Sequence, residues 1–333
     1  MRLERIALIG LTLLTGILSC KKDEEETTYE SFSGSLNFSV PRYVSRSSTH
    51  VLVPSGAYRS DGGGYGYYWT DSIDSYKDTT RYEGGTGDGA YTFVVPKDTL
   101  CTMTVTCYIF AKGYSTTALS RYVTIVNPLQ GGSLTMDGID LSTVFFTDTR
   151  DRRQYPSRLI GSHYWMTKNL AYAEAGVPME YCDVMTYPYG RYYTWEEAQT
   201  VCPPGWHLPS GEEWLDLAVA AGAADARADA TFAGVAGNLM VDALFNRERM
   251  WEYWPQVKIT NRSGFSAIPT GYATMTDDTA TFYGNLEYAV FWTADSYNDE
   301  QGLFRYINLK QPDVMLGSGH KDSFRASVRC VKD

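Results

Sequence analysis

The densest group of potentially reactive side chains lies between Cys202 and Trp214. It combines a cysteine, His207 and the adjacent carboxylates Glu212 and Glu213, which are residue types used for nucleophilic or redox chemistry and for proton transfer. His207 stands between two apolar residues, which favours a hydrogen bond from its ring to a backbone acceptor inside a turn. The stretch is therefore a candidate active-site turn, and the alternative is a structural joint.

Two helices must position this stretch. Thr194 with Glu197, and Ser210 with Glu213, have the Ser/Thr-x-x-Glu spacing of a helix capping box. Pro203 must end the first helix, because proline cannot continue the helical hydrogen bonding. The sequence predicts a helix, a sharp turn with a cysteine, a short extended segment and a second helix.

Other groups of reactive residues are weaker candidates. Gln311–Asp313 matches a sugar-selecting tripeptide of calcium-dependent lectins, but it follows Asn298–Asp299, whereas in those lectins the tripeptide comes first. Ser318, His320 and Asp322 are close in sequence, and neighbours in a flexible surface turn cannot form a catalytic triad without a scaffold that places them. We therefore predict no metal site, no cofactor and no catalytic residues.

The composition is typical of a secreted, strand-rich protein, with 26 tyrosines, 8 tryptophans and only 20% charged residues. The net charge of -10 argues against a nucleic-acid partner, because no basic stripe could neutralise phosphates. Glycans and proteins remain as ligand classes. Aromatic residues near predicted strand ends are candidates for stacking on sugars, namely Tyr272, Tyr283, Trp292 and Tyr297.

The N-terminus resembles a bacterial lipoprotein signal peptide. Two arginines precede the apolar run Ile6–Leu18, which is shorter than the roughly 20 residues that span a bilayer. Removal of residues 1–19 would leave Cys20 as a lipidated first residue; the alternative is an ordinary signal peptide. Residues 20–33 form an acidic tether, in which Lys21–Glu26 resembles an export signal. We expect an outer-membrane, lipid-anchored protein that faces the cell exterior, where disulfides can form.

Residues 34–128 contain short β-prone runs at regular spacing. In the clearest run, residues 101–109, every second residue is apolar or cysteine and the residues between are mostly threonine. Cys101 and Cys107 would lie roughly 20 Å apart along one strand, which is too far for a disulfide, so we expect two buried thiols. With about seven such strands and a tryptophan in an early central one, the segment is predicted to be an all-β, immunoglobulin-like sandwich.

Residues 129–143 form a glycine-rich connector to a second domain, residues 144–333. Within it, Arg158–Leu170 predicts a β-hairpin that turns at Gly161, and Gly264–Tyr272 predicts a strand with a bend. Together with the two capped helices, these elements predict an α+β domain with an irregular antiparallel sheet.

Five segments of this second domain carry a specific pattern, namely Ile160–Leu170, Tyr189–Trp195, Cys202–Trp214, Gly264–Pro269 and Ser327–Val331. In type and order they resemble the Fibrobacter succinogenes major paralogous domain, whose members look like C-type lectin-like folds. The resemblance implies a disulfide from Cys202 to Cys330, which joins the first helix to the last strand. Cys182 could be a free thiol or a competing partner for Cys202, and the sequence does not decide between them. The family brings no established catalytic residues.

Three short motifs resemble the Asp-Ser/Thr-aliphatic pattern that some Gram-negative bacteria O-glycosylate. They place candidate modification sites at Ser72, Thr99 and Thr279. Triplets of this kind also occur often by chance.

These features predict a non-catalytic surface lipoprotein with a C-type lectin-like head that binds a protein or a glycan. A structural or assembly subunit of a surface complex is the alternative. The same overall fold is used by an oxidase that converts a sulfatase cysteine to formylglycine with a redox cysteine pair. That enzymatic reading is less favoured, because a structural bridge explains Cys202 and Cys330 better.

Overall fold

The structure is a computed structural model that describes residues 28–73, 79–82, 89–127, 134–136 and 144–333. Over these residues the chain is a mostly β, multi-domain protein. The predicted signal peptide, Cys20, residues 20–27 of the tether and most of the connector lie outside the described residues. In the described part of the chain, no helix is long and apolar enough to cross a membrane.

The strands of the N-terminal region are β1 (Ser33–Asn37), β2 (Tyr43–Ser45), β3 (Thr49–Leu52), β4 (Ser55–Tyr58), β5 (Gly66–Ile73), β6 (Thr79–Tyr82), β7 (Tyr91–Val94), β8 (Thr102–Phe110) and β9 (Thr117–Val126). Five of them form one sheet in the order β2-β9-β8-β5-β6, in which only the β2–β9 pair is parallel. The pairs β1–β4 and β3–β7 are separate and antiparallel.

Strand β8 organises the core of this region, as its alternating pattern predicts. Met103, Val105, Cys107 and Ile109 are buried and point to one side, where they pack with Trp69 of β5. Cys101, just before the strand, is buried in the same core. The prediction that these cysteines act as small apolar residues is confirmed, and burial raises the pKa of the Cys107 thiol to about 12.

The strands that follow are β10 (Leu134–Met136), β11 (Val144–Thr147), β12 (Gln154–Ile160), β13 (His163–Met166), β14 (Trp206–His207), β15 (Ala243–Phe245), β16 (Glu248–Arg249), β17 (Tyr272–Thr276), β18 (Thr279–Tyr283), β19 (Tyr288–Ser296), β20 (Gln301–Asn308), β21 (Val314–His320), β22 (Phe324–Arg325) and β23 (Val331–Lys332). The helices are α1 (Thr186–Tyr189), α2 (Trp195–Val201), α3 (Gly211–Ala220) and α4 (Ala236–Leu239), with short 3-10 turns at Met179–Tyr181 and Asp183–Met185.

These strands form four sheets, in the orders β10-β15-β16, β11-β12-β13-β23-β14, β18-β17-β22 and β19-β20-β21. The five-stranded sheet contains both the first strands of the C-terminal region, β11 and β12, and its last strand, β23. A large apolar core lies between α3, the segment 232–267 and the inner face of β19 and β20.

Both predicted capping boxes are present. The side chains of Thr194 and Ser210 each accept the backbone N–H of the glutamate three residues later, and Glu197 and Glu213 reach back to the cap N–H groups. The first helix ends at Val201, directly before Cys202 and Pro203, as the proline predicts. The predicted hairpin is also confirmed, since β12 and β13 pair around Gly161, which has a positive φ.

The predicted strand Gly264–Tyr272 is wrong over most of its length. Gly264 and Ser266 have positive φ values, and a strand begins only at Tyr272. The cause is long-range hydrogen bonding, because the Ala267 N–H donates to the carbonyl of Leu239 and the carbonyl of Phe265 accepts from buried Arg329. The segment is a loop whose backbone groups are paired with distant parts of the chain.

The N-terminal and C-terminal regions are in direct contact. Asn285 Nδ2 donates to the hydroxyl of Tyr43 (2.8 Å), and Asn246 Nδ2 donates to the carbonyl of Ile125 (2.8 Å). Tyr43 and Val126 share an apolar cluster with residues of the C-terminal region, and β10 of the predicted connector pairs with β15. Each region buries apolar surface of the other, so the experiments below use the full chain.

Candidate binding surface

The turn that begins at Cys202 is a covalent joint of the C-terminal region. Cys202 follows the last residue of α2, and its disulfide partner is Cys330, directly before β23, with 5.9 Å between the two Cα atoms. The pairing that the family resemblance implies is therefore confirmed. Cys182 is not part of this bridge and is a partly buried thiol.

His207 lies in a group of carboxylates, so the expectation that it bonds a backbone acceptor is wrong. Its Nδ1 is 2.7 Å from Asp333 Oδ1, and its Nε2 is 2.8 Å from Glu213 Oε1. His163, in β13, is 3.7 Å from the same Glu213 oxygen and 3.3 Å from Asp216. The group joins the hairpin, α3 and the last strand. We call this group of two histidines and three carboxylates the electrostatic clamp, because its contacts hold these three elements together. Its residue types also resemble those of an active site.

Opposing effects set the pKa values in this clamp. Partial burial alone would lower the pKa of His207, but its hydrogen bonds to Asp333 and Glu213 outweigh burial and the net pKa is raised. Burial likewise tends to raise the pKa of Glu213, but hydrogen bonds from Ser210 and His207 make the net pKa lower than usual. The folded state thus favours a protonated His207 beside an ionised Glu213.

This arrangement predicts a pH-dependent contribution to stability. A raised folded pKa stabilises the protein fully below the unfolded pKa of His, about 6.5, and the benefit is lost as pH rises through the folded value. We expect His207→Gln to lower the denaturation midpoint most near about pH 5.5 and progressively less as the pH rises above the unfolded pKa. Urea denaturation at several pH values measures this, with exposed His320→Gln as the control. A His207→Gln effect that is the same at every pH would contradict the assignment.

The other reactive residues that the sequence singles out are engaged in local structure. Asp313 Oδ1 accepts the Gly234 N–H (2.7 Å), and Asn298 Oδ1 accepts two N–H groups of its own turn. Ser318 and His320 lie in β21, so the predicted surface turn at these residues is a strand. Among the described residues, no group of three or more His, Cys, Asp or Glu side chains is arranged to hold a metal ion.

The four aromatic residues predicted to stack on sugars lie in very different environments. Trp292 is 0% exposed and its indole N–H donates to the Tyr193 carbonyl, so this prediction is wrong. Tyr297 is 66% exposed in the turn between β19 and β20, where its backbone N–H donates to the carbonyl of Gln301. Tyr272 is half-buried and Tyr283 is 46% exposed, and these two rings are stacked on each other.

Tyr283 and Tyr272 belong to a larger group, which we call the aromatic ladder: Tyr283, Tyr272, Phe324 and Phe304, flanked by Tyr288 and Tyr306. Successive rings from Tyr283 to Phe304 are stacked with centroids 5.6, 5.1 and 4.9 Å apart. Tyr306 lies 5.9 Å from Phe304, and Tyr288 lies 6.3 Å from Tyr306 and 6.4 Å from Tyr272. The ladder connects the sheet β18-β17-β22 to the sheet β19-β20-β21.

The pleat of the strands and two glycines build the ladder. Phe304 and Tyr306 are two residues apart in β20, so they point to the same face of the sheet, opposite to buried Arg305. On the edge strand β21, a Cβ atom at Gly317 would lie 2.5 Å from the Phe304 ring, and one at Gly319 would lie 2.7 Å from Phe324. Glycine at both positions therefore gives the two rings room to lie against the strand.

Stacking decides which parts of the ladder a ligand can reach. Tyr272 has Tyr283 on one side and Phe324 on the other, with interplanar angles of 26° and 21°, so its faces are largely covered. Tyr283 ends the ladder and is its most exposed ring. The inner rings are half-buried and mainly offer their edges. The ladder thus suits apolar contact along its length and face stacking only at Tyr283.

Sequence reasoning missed Tyr288, Phe304, Tyr306 and Phe324 as members of this surface. The available signal was the pair of aromatic residues at alternate positions of β20, Phe304 and Tyr306, of which Phe304 is paired with Gly317 of β21. The sequence does not reveal that Phe324 and Tyr272 extend the row into a second sheet.

The three candidate O-glycosylation positions differ in access. Ser72 is half-buried within β5, between two paired strands, and Thr99 is half-buried between β7 and β8. Thr279 is exposed and opens β18 after a turn with positive φ at Asp277 and Asp278. Modification at these positions stays a prediction.

The fold and site define a mostly β, multi-domain protein whose C-terminal region is joined by one disulfide and presents an aromatic surface. The family described as the Fibrobacter succinogenes major domain matches residues 159–332, more than half of the chain, and the chain belongs to this family. No curated protein is similar enough to count as a relative. The structure of the Yersinia pseudotuberculosis adhesin InvE aligns over 91% of this chain and 70% of that one, at 10% identity and a TM-score of 0.25. That score does not establish a shared fold.

Proposed function

We propose that the chain is a surface lipoprotein, anchored through Cys20, whose C-terminal domain binds a protein or a glycan without catalysing a reaction. In this proposal residues 34–128 are an immunoglobulin-like sandwich and residues 144–333 are a C-type lectin-like head. The buried Trp69 on a central strand supports the first assignment. The two helices and the Cys202–Cys330 bridge to the last strand support the second.

The aromatic ladder is the observation that carries the binding role. Apolar side chains scattered over a surface are ordinary, but a contiguous aromatic row that ends in an exposed tyrosine is typical of an interaction surface. The ladder contains six aromatic rings and no charged side chain. Binding there would bury ring edges that are already positioned, so little side-chain entropy would be lost.

The alternative of an assembly subunit has its own supporting feature. On the outer face of the N-terminal sheet, Tyr68 and Tyr108 are stacked 4.3 Å apart, and Phe110 and Tyr122 are 43% and 68% exposed. A permanent partner could cover this face. Native mass measurement of the extracted protein separates the two roles, since a stoichiometric complex favours assembly and a monomer favours a free binding protein.

The oxidase alternative is less favoured because Cys330 is 0% exposed and the two cysteines connect structural elements. A redox pair needs a thiolate that a substrate can reach. Two results together would rule out an oxidase role: Cys202→Ser lowers thermal stability, and the wild-type protein does not oxidise a cysteine-containing substrate.

A substitution at the exposed end of the ladder tests the binding role. We expect Tyr283→Ser to weaken capture of the ligand at least tenfold, because an aromatic anchor contributes about 2 kcal/mol or more to an interface. The full chain is applied to a glycan array and, immobilised, to cell-surface extracts, and bound glycans or proteins are quantified for wild type and variant.

Tyr122→Ser is the matched control, since Tyr122 is an exposed tyrosine on the N-terminal sheet. It should leave capture unchanged. If Tyr283→Ser and Tyr122→Ser retain the same ligands with equal affinity, or if neither ligand class binds the wild-type chain, the proposed role of the ladder is wrong.

A further inference from the structure

A concave site lies in the irregular segment that follows α3. It is a cavity of about 170 Å³ between the β15–β16 hairpin and residues 252–259, and it contains no residue of the ladder. Its floor is apolar, because Met240, Val257 and Leu309 belong to the large core. The ladder therefore does not account for this cavity.

Aromatic side chains form part of its wall. Trp254 is half-buried and packs against the core, with the Lys310 ammonium 5.7 Å from its ring centroid. Tyr253 beside it is 74% exposed, the most exposed large apolar side chain of the described residues. A turn in which the Val257 N–H donates to the Trp254 carbonyl holds this segment in place. The cavity thus has a fixed indole and an accessible phenol at its edge.

The polar part of the lining carries both signs of charge. Asp242 Oδ2 is 3.0 Å from Arg249 Nη2, and their side chains are 38% and 49% exposed, so both reach solvent at the cavity. Asp242 Oδ1 is buried beneath this pair and has no hydrogen-bond partner among the described residues, so Oδ2 and the guanidinium are the groups that reach the cavity. Glu252 and Lys258 add one further charge of each sign. The lining therefore offers donors and acceptors together without a strong net charge.

We propose that this cavity binds one pyranose ring of a neutral sugar. Size limits the ligand, because a protein cavity of about 150 Å³ holds a single benzene ring. The chemistry selects among such rings: a sugar presents C–H groups to an aromatic wall and hydroxyl groups to a carboxylate and a guanidinium. A fully apolar ring would leave the Asp242–Arg249 pair without compensation for lost water, and a lining with two charges of each sign gives a charged ligand no net attraction.

This site goes beyond the proposed function, since it is a sugar subsite separate from the ladder. It is tested with the full chain by saturation-transfer NMR, using neutral hexoses and N-acetylhexosamines as single sugars. We expect saturable binding of at least one sugar with a Kd near the millimolar range, about the affinity of one small buried ring. Arg249→Gln and Tyr253→Ser should each weaken it at least fivefold.

A control separates the cavity from other exposed tyrosines. Tyr58→Ser removes an exposed tyrosine of β4 and should leave sugar binding unchanged. Loss of sugar binding in Tyr283→Ser but in neither cavity variant would place the sugar on the ladder and overturn the proposal. Circular dichroism melting confirms that Arg249→Gln and Tyr253→Ser remain folded, as expected for exposed positions. The proposal is overturned if none of the sugars binds saturably, or if both cavity variants bind sugar as tightly as the wild-type chain. Such a result leaves capture through Tyr283 untouched, so the two proposals fail independently.

Discussion

Cys202→Ser is expected to lower the free energy of unfolding of this chain by about 3 to 5 kcal/mol. The bridge connects residues separated by 128 positions, and in the chain-entropy treatment a closed loop of this length restricts the unfolded chain by about 5 kcal/mol. The serine variant also leaves Cys330 as a lone thiol in a fully buried position. Urea denaturation measured at pH 7 by tryptophan fluorescence gives the change.

Cys182→Ser is the matched control for this prediction, because Cys182 is a partly buried thiol outside the bridge. We expect it to change the denaturation midpoint by a small fraction of the Cys202→Ser effect. The role assigned to the bridge would be refuted if Cys202→Ser were as stable as wild type under oxidising conditions, or if reduction of the wild-type protein left its midpoint unchanged.

Arg329→Met is the second large effect, with an expected loss of about 3 to 5 kcal/mol. Arg329 is 1% exposed, and it donates from Nε to Asn169 Oδ1 (2.7 Å), from Nη1 to the carbonyls of Met166 (3.1 Å) and Phe265 (2.7 Å), and from Nη2 to the carbonyl of Ser266 (3.0 Å). Methionine fills much of the same volume but leaves all four acceptors without this donor, three of them in buried positions.

The environment of Arg329 explains why a guanidinium is needed. Burial lowers its pKa, and four polar acceptors and the ring of Phe265, 4.8 Å away, hold the charged form in the core. Arg329→Lys should also be strongly destabilised, since one ammonium cannot reach four acceptors in different directions. Exposed Arg227→Met, which loses only a surface ion pair with Asp229, should cost less than about 1 kcal/mol. Urea denaturation midpoints of the three variants measure these differences. Equal midpoints for Arg329→Met and Arg227→Met would contradict a stabilising role of the buried guanidinium.

Elements with local causes could be predicted from the sequence. The capping boxes at Thr194 and Ser210 are satisfied by residues three positions away, and the alternation in β8 follows from the period of a strand. The hairpin around Gly161 likewise needs only a local turn. In each case the residues that determine the element lie within it.

Features with distant causes could not be predicted. Gly264–Ile268 is β-prone in sequence, yet the carbonyls of Phe265 and Ser266 accept from Arg329 and the Ala267 N–H donates to the carbonyl of Leu239. The same holds for His207, whose partner Asp333 is 126 residues away. Local propensity carries no information about such partners, and the long-range hydrogen bonds decide the conformation.

The exposure of each ring in the aromatic ladder also depends on residues that are distant in sequence. Trp292 and Phe304 face each other across β19 and β20, yet Trp292 is covered and Phe304 is half-buried, because other rings pack over the tryptophan. A list of aromatic residues therefore identifies the strands that contribute, but not which rings a ligand can reach. The stacking order that leaves Tyr283 at the exposed end depends on the contact between two sheets.

If the ligand lies on the aromatic ladder, its binding must shield the ladder from solvent, and hydroxyl-radical footprinting measures that shielding. The full chain is oxidised alone and in complex with the glycan or protein that it captures, and side-chain oxidation is quantified by mass spectrometry. We expect strong protection of Tyr283, weaker protection of Phe324, and none at Tyr122. Unchanged oxidation of Tyr283 in the saturated complex, with protection only at other residues, would contradict this expectation.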